Sequence, residues 1–111
     1  MQFVLNNGVY KVARITGPEH NFLGIRLGGA DDPLDVVPLS IKEGEQLKIE
    51  EQEVLRQVEE GLKLVNQKLD KQYYISELHF VPSDTKSTSV YIYLIQELIK
   101  RIDCGGNFSV V

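Results

Sequence analysis

The 111-residue chain is predicted to be a single α+β domain, with an N-terminal, mostly antiparallel β-meander followed by a helix, a strand and a second helix. Three observations predict this class. In the first 39 residues, apolar and polar side chains alternate with period two between turn signals. The next segment has apolar residues at helical spacing, and one strand-like segment separates it from a second helical segment. We therefore expect both helices on one face of the sheet, around one core that takes up residues 1–111.

Four short strands are predicted in the N-terminal part, at residues 2–5, 8–16, 22–27 and 35–38. Asn7-Gly8 favours a hairpin turn between the first two, because both residues tolerate positive φ. Gly17-Pro18 is expected to end the second strand, and Pro38 indicates an edge strand or a strand end. The four strands should follow one another as a mainly antiparallel meander.

The first helix is predicted from apolar residues at helical spacing between Leu47 and Leu69. Those from position 54 onward fall within an arc of about 80°. Gly61 lies at the edge of this arc, and glycine costs about 1 kcal/mol relative to alanine inside a helix. We therefore expect the helix to approach the sheet closely at Gly61. Glu53–Arg56 and Glu59–Lys63 have the spacings of intrahelical ion pairs.

The segment 73–81 is the most strand-like of the chain, and a second helix is predicted from about residue 86 to 103. Pro82 should end the strand, and Ser83, Asp84 or Thr85 is expected to cap the helix. The apolar arc of this helix is near 180°, so the helix is either covered on two sides or partly a partner surface. Gly105-Gly106 is a helix stop, and residues 108–111 form either a last short strand or a loose tail.

The net charge of −4 is concentrated in one segment. Between Lys42 and Glu60 there are seven acids and three bases, which already gives −4, and the rest of the chain is balanced. Such a field argues against nucleic-acid binding and would attract a basic partner. A charged, solvated helix face is the structural alternative. Asp31, Asp32 and Asp35 form a second acidic group, which would extend the negative surface if it lies near the first helix.

No set of residues predicts catalysis, a metal or a cofactor. His79, Ser83 and Asp84 have the side chains of a hydrolytic triad, but no G-x-S-x-G turn is present. We interpret His79 as a solvent-side residue on the face shared by Tyr73, Ile75 and Glu77. The histidines and the single cysteine, Cys104, lack zinc-ligand spacing.

The expected compartment is the cytoplasm. No apolar run approaches the roughly 20 residues needed to cross a bilayer, and the N-terminus lacks the pattern of a signal peptide. A lone cysteine fits a reducing environment.

The short meander, the acidic helix KIEEQEVLRQVEEGLKL and the unit FVPSDT…VYIYLIQELIKRI together resemble the small acidic bacterial immunity proteins of contact-dependent and polymorphic toxin systems. The resemblance implies a basic toxin domain, for example a nuclease, whose active site is blocked by acidic side chains that imitate a phosphate backbone. The partner-binding residues that we predict are Glu53 and Glu60 on the exposed helix face, followed by Glu50, Glu59, Asp31 and Asp32.

Two other functions remain open from the sequence. The chain could be a non-catalytic homo-oligomeric adaptor or regulatory module that uses the second helix as its interface, for example in a homodimer. It could also be a small enzyme that uses His79 with Asp84 or Glu77, and a deep pocket containing such a pair would favour this function.

Overall fold

The computed structural model describes all 111 residues. The elements are β1 (Gln2–Asn6), β2 (Val9–Thr16), β3 (Glu19–Gly28), β4 (Asp35–Pro38), α1 (Glu51–Leu69), β5 (Tyr74–Phe80), α2 (Val90–Asp103) and β6 (Ser109–Val110). The six strands form one sheet in the order β4-β5-β3-β2-β1-β6. The two helices pack against this sheet, so the predicted α+β class is confirmed.

The first hairpin turn forms at the predicted dipeptide. Asn7 and Gly8 have φ angles of 51° and 78°, and Asn6 pairs with Val9 across the turn. These left-handed conformations are the ones that a two-residue hairpin loop requires.

The predicted four-strand meander is wrong at its last strand. β1, β2 and β3 form an antiparallel meander, but β4 does not pair with β3. Instead β5 lies between them, antiparallel to β3 and parallel to β4. Strand-forming patterns specify strands but not their order. β5 is more apolar than β4, and a position inside the sheet rather than at its edge removes more of its apolar surface from water.

A shift in register changes the face on which Ile75 lies. Arg26 pairs with Glu77, whereas its neighbour Leu27 pairs with Ile75, so one extra residue is accommodated in β5. Ile75 therefore points into the core with Leu78 and is 7% exposed. The prediction that Ile75 and His79 share a face is wrong for this reason.

The wide apolar arc of α2 is covered on two sides. One side packs against β2 and β3 and another against α1. The six buried residues of the helix are Val90, Tyr91, Leu94, Ile95, Leu98 and Ile99. Tyr93 is the one large side chain of α2 that stays substantially exposed, at 45%. A homodimer formed through α2 would need this apolar surface, which instead packs against the other elements of the domain.

Gly61 permits a close approach of two helices rather than of a helix and the sheet. A Cβ atom on Gly61 would lie 2.6 Å from the carbonyl oxygen of Ile92 and would overlap the side chain of Ile95. The predicted close packing at Gly61 is therefore confirmed, but the element that packs there is α2 and not the sheet as predicted.

The C-terminal residues close the far edge of the sheet. Gly105, at φ 67°, follows the end of α2, and its N–H donates to the carbonyl of Ile102 at 3.2 Å. β6 then pairs in parallel with β1. Phe108 packs edge-on against Phe3 and Tyr10, so the end of the chain is a short strand and not a loose tail.

Candidate binding surface

The connection between β5 and α2 does not cap the helix in the predicted way. α2 begins at Val90, and the N–H group of Val90 donates to the hydroxyl oxygen of Ser87 at 3.0 Å. Ser83, Asp84 and Thr85 lie too early in the chain to cap it. The predicted cap residues are therefore wrong.

A buried glutamine on α1 provides the other cap of α2. Gln57 is fully buried, and its Oε1 accepts a hydrogen bond from the N–H of Tyr91 at 3.0 Å. Its Nε2 donates to the carbonyl of Ser87 at 2.8 Å and to the carboxylate of Glu53 at 3.0 Å. All the hydrogen-bonding atoms of this amide are thus satisfied at the joint between the helices.

Asp84 fastens the β5–α2 connection to β3. The Asp84 side chain is 4% exposed and accepts a hydrogen bond from the N–H of Phe22 at 2.7 Å. Its other oxygen lies 3.1 Å from Nδ1 of His20. Burial raises the pKa of the Asp84 carboxyl, and the hydrogen bonds from Phe22 and His20 oppose this shift.

Further polar contacts continue this joint along β3. The amide of Asn21 donates to the carbonyl of Thr85 at 2.8 Å and to the hydroxyl of Tyr91 at 3.2 Å. Thr85 also exchanges hydrogen bonds with the backbone of His20. Burial raises the pKa of the Tyr91 phenol to about 12. A shallow cavity of about 300 Å³ beside His20 and Ser83 is lined by no hydrophobic residue.

His79 is held in place by its neighbours on the sheet. The histidine alternates with the buried Leu78 and Phe80 and therefore lies on the face of the sheet away from the core, as predicted, where its side chain is 16% exposed. Its Nε2 lies 2.9 Å from Glu77, whose other carboxylate oxygen accepts a hydrogen bond from Nε of Arg26 at 2.6 Å. These hydrogen bonds, with His79 contributing most, lower the pKa of Glu77. His79 pairs with Glu77 and Asp84 pairs with His20, in two separate places.

The two carboxylates predicted to lead the binding surface share one arginine. Arg56 binds Glu53 through two nitrogens, at 3.1 and 2.8 Å, and Glu60 through a third at 3.1 Å. Its hydrogen bond, with a second from Gln57, lowers the pKa of Glu53 to about 2. The predicted Glu53–Arg56 pair is confirmed. Glu53 and Glu60 lie on α1 as predicted, but part of their hydrogen-bonding capacity is used within the helix.

Glu50 and Glu59 are exposed and belong to no ion pair. The predicted Glu59–Lys63 pair is therefore absent. Glu50 precedes the first residue of α1 and has an extended backbone, and Glu59 lies two turns further along. Their carboxylates are free to meet a partner.

Asp31 and Asp32 do not join the carboxylates at the start of α1. They follow the end of β3, where Gly28 pairs with Tyr74 at the beginning of β5. Glu50 lies at the opposite end of β5, since the preceding residue, Ile49, is hydrogen-bonded to Pro82. Asp32 also accepts a hydrogen bond from the N–H of Gly29 at 2.7 Å, which stabilises the turn.

The excess charge lies in a shorter stretch of the chain than the predicted acidic segment. Residues 43–53 contain five acids and one base, so their net charge is −4, and the remaining eleven acids and eleven bases cancel. This acidic pole, as we call residues 43–53, comprises an exposed loop and the first turn of α1. Leu47 projects from its middle and is 73% exposed.

Two structural findings describe what the site lacks. No group of three or more His, Cys, Asp or Glu side chains is arranged to hold a metal ion. Neither helix is long and apolar enough to cross a membrane.

The chain matches no protein-family model, no curated protein sequence and no solved structure at a significant level.

Sequence reasoning missed Gln57 and Asn21, which are both buried polar residues of the joint. A weak signal for Gln57 exists, because it lies three residues after Val54 and four before Gly61, beside the apolar arc. Asn21 gives no local signal, since its partners Thr85 and Tyr91 are more than 60 residues away in the chain.

Proposed function

We propose that this chain is an acidic binding protein of the bacterial immunity class, which neutralises a basic toxin domain by covering its active site. The observation that carries the proposal is the acidic pole, because the entire net charge of the molecule lies in eleven consecutive, largely exposed residues. A nuclease is the toxin class that such a surface fits, since a nuclease active site attracts phosphate groups.

Stabilisation of α1 explains only some of the carboxylates in the acidic pole. Glu51 and Glu53 in the first turn of the helix interact favourably with its dipole. Glu43 and Glu50 lie outside the helix, are exposed and form no ion pair. Free carboxylates around an exposed leucine are a suitable surface for a basic partner, with charge setting the association rate and partner choice.

The polar residues elsewhere support binding rather than chemistry. Asp84 is engaged by the backbone of β3, and Glu77 by Arg26 and His79. The contacts of Asp84 and Arg26 join one element of the fold to another, and the contact between Glu77 and His79 lies within β5. We therefore propose a non-catalytic protein that acts in the cytoplasm of the toxin-producing cell.

The test is co-expression with a basic toxin domain encoded next to this chain, with cell survival and complex formation as readouts. We expect the natural chain to protect the cells and to co-purify with the domain. Failure to bind that domain would contradict the proposal.

Charge reversal then locates the interface. Glu50→Lys combined with Glu51→Lys should weaken binding at least tenfold, because two exposed attractive charges become repulsive. Asp31→Lys combined with Asp35→Lys makes the same change in net charge away from the acidic pole, since Asp35 pairs with Glu77 at the middle of β5, and should have a much smaller effect. Equal losses for both pairs would mean that total charge, and not the acidic pole, governs binding.

A second experiment compares the binding of variants at two carboxylates on the outer face of α1. Glu59→Lys should weaken binding more than Glu60→Lys, because Glu59 is unpaired and Glu60 is engaged by Arg56. Glu53→Lys is less informative, since it also removes a hydrogen bond of the buried Gln57.

A further inference from the structure

The proposed function uses the charges of the acidic pole, but it assigns no role to Leu47 in the middle of it. Leu47 lies in the loop between β4 and α1 and is 73% exposed. Of the large apolar side chains, only Val110 and Val111 near the end of α2's following segment are more exposed. Single exposed leucines are common on protein surfaces, so the surroundings of Leu47 decide whether its exposure has a function.

The chain is fastened directly after Leu47. The N–H groups of Lys48 and Ile49 both donate to the carbonyl of Pro82, at 2.9 and 3.3 Å. Ile49 is 9% exposed and belongs to the hydrophobic core. The backbone on this side of Leu47 is therefore held against the β5–α2 connection.

The carboxylate of Glu45 fastens the chain two residues before Leu47. One of its oxygens accepts a hydrogen bond from the N–H of Lys42 at 2.7 Å, and the other accepts one from the hydroxyl of Ser83 at 3.4 Å. The N–H of Glu45 donates to the carbonyl of Lys42 at 3.1 Å, which closes a four-residue turn. Gly44, the third residue of this turn, has the positive φ of 87° that favours glycine.

Leu47 is thus held in water by a loop that is anchored on both sides. Contacts that keep an apolar side chain outside the core remove none of its surface from water, so they do not strengthen the core. They do favour association, because a segment that already has its bound conformation loses less conformational entropy when a partner binds.

The carboxylates near Leu47 suit the rim of an interface. Glu43 and Glu50 lie within four residues of Leu47 in the chain, are exposed and form no ion pair. The core of a protein–protein interface is depleted in charge and its rim is polar. A leucine bordered by free carboxylates has this arrangement, and the carboxylates attract a basic partner.

We propose that Leu47 is the apolar anchor of the acidic pole and inserts into an apolar pocket within the basic surface of the toxin domain. The inference rests on the proposed function and adds the chemistry of the partner's surface. That surface combines lysine or arginine side chains with a pocket of the size of a leucine side chain. A uniformly charged groove would leave Leu47 in water.

Calorimetric titration of the full chain with the toxin domain encoded next to it tests the anchor. Leu47→Ala should weaken binding by about tenfold or more, because the leucine side chain no longer leaves water when the complex forms. Leu64→Ala is the matched control, since Leu64 is 43% exposed on α1 and lies outside the acidic pole. Binding of Leu47→Ala as tight as that of the natural chain would overturn the proposal.

Salt separates the apolar contact from the charges. At about 1 M salt, where the Debye length is about 3 Å, the loss caused by Glu50→Lys with Glu51→Lys should become smaller. The loss caused by Leu47→Ala should persist, and its disappearance would overturn the proposal. A natural chain that does not bind the domain contradicts the proposed function, whereas a natural chain that binds while Leu47→Ala is neutral contradicts only the anchor.

Two variants at Glu45 test how Leu47 is positioned. Glu45→Ala and Glu45→Gln remove the same charge, but glutamine keeps an oxygen that can accept the hydrogen bond from Lys42. We therefore expect Glu45→Ala to weaken binding more than Glu45→Gln. Equal losses would overturn the role of Glu45 in positioning Leu47.

The order of the loop can be measured without the partner. In ¹⁵N relaxation of the natural chain, backbone order parameters for residues 43–48 should be near the value of about 0.85 that is typical of rigid backbone. Values below about 0.6 would mean that Leu47 is not held in place and would overturn the proposal. Thermal unfolding followed by circular dichroism verifies that each variant is folded.

Discussion

At the scale of single residues, the joint between the helices depends on the buried amide of Gln57. This side chain satisfies the buried N–H of Tyr91 and the partly buried carbonyl of Ser87. Because α2 carries six buried side chains, a displacement of its first turn would disturb the packing of the whole core.

We expect Gln57→Leu to lower the free energy of unfolding by about 2–3 kcal/mol, because it leaves buried polar groups without partners. Urea unfolding measures the change. Gln67→Leu makes the same chemical change at an exposed position of α1 and should be nearly neutral. Equal effects of the two substitutions would show that the amide contacts of Gln57 do not contribute.

The buried carboxylate of Asp84 makes stability depend on pH. Burial raises its folded-state pKa above the ordinary value of 3.8, while His20 and Glu45 act on it from opposite directions. A raised folded-state pKa gives a contribution to stability that is fully present below the unfolded pKa and is lost as pH rises through the folded value.

We therefore expect the natural chain to lose stability relative to Asp84→Asn as the pH rises from about 3.8 toward neutrality. Asparagine retains an oxygen that can accept the hydrogen bond from Phe22. Urea unfolding at several pH values gives the difference, and Asp35→Asn, on an exposed aspartate, is the control. A difference that does not vary with pH would contradict the raised pKa.

At the scale of elements, the packing of α1 against α2 depends on the missing side chain of Gly61. Alanine there would gain about 1 kcal/mol in helix propensity. It would also place a methyl group against the backbone of Ile92 and the side chain of Ile95.

We expect Gly61→Ala to destabilise the fold by a net ~1–2 kcal/mol, because contact with the backbone of Ile92 places the overpacking cost in the upper part of its range of about 1–3 kcal/mol, above the propensity gain. The midpoint of urea unfolding measures this change. Lys63→Ala, two residues further along on the exposed face, should change stability little. A stabilised Gly61→Ala variant would mean that the helices can separate at no cost.

Elements whose signals are local were predicted well from the sequence. The Asn7-Gly8 turn and the α1 stripe are specified by neighbouring residues, and both are confirmed. The partner of β4 and the start of α2 depend on contacts between distant segments, namely β4 with β5 and Gln57 with Tyr91. Periodicity contains no information on such contacts, and both predictions were wrong.

The features of the candidate site likewise include some that local sequence specifies and others that depend on contacts it does not encode. The exposure of Glu50 and Glu59 follows from their position outside the apolar stripe. The sharing of Arg56 by Glu53 and Glu60 depends on the orientation of one guanidinium group, which spacing alone does not determine. The separation of Asp31 from Glu50 follows from the strand order.

At the scale of the whole molecule, the charge is segregated into one pole. Residues 43–53 are negative and the remainder of the chain is neutral in sum. Any flexible polycation should therefore prefer one end of the molecule over the others.

A lysine hexapeptide tests this preference without knowledge of the natural partner. In two-dimensional NMR spectra of the ¹⁵N-labelled chain, we expect its shift changes to be concentrated in residues 43–53. They should weaken as salt is raised to about 1 M, where the Debye length is about 3 Å. Shift changes distributed evenly over all exposed acids, Asp31 included, would contradict the segregation.

The insertion of β5 between β3 and β4 has a consequence for synthesis on the ribosome. β4 is complete at Pro38, but its only neighbour in the sheet ends at Phe80. At about 5–20 residues per second, β4 is without a partner for roughly 2–8 s in every newly made chain. A charged residue at one end of so short a strand and prolines at positions 33 and 38 protect it from pairing with other nascent chains. The features that make β4 a weak strand in the finished molecule thus keep the unfinished one from aggregating.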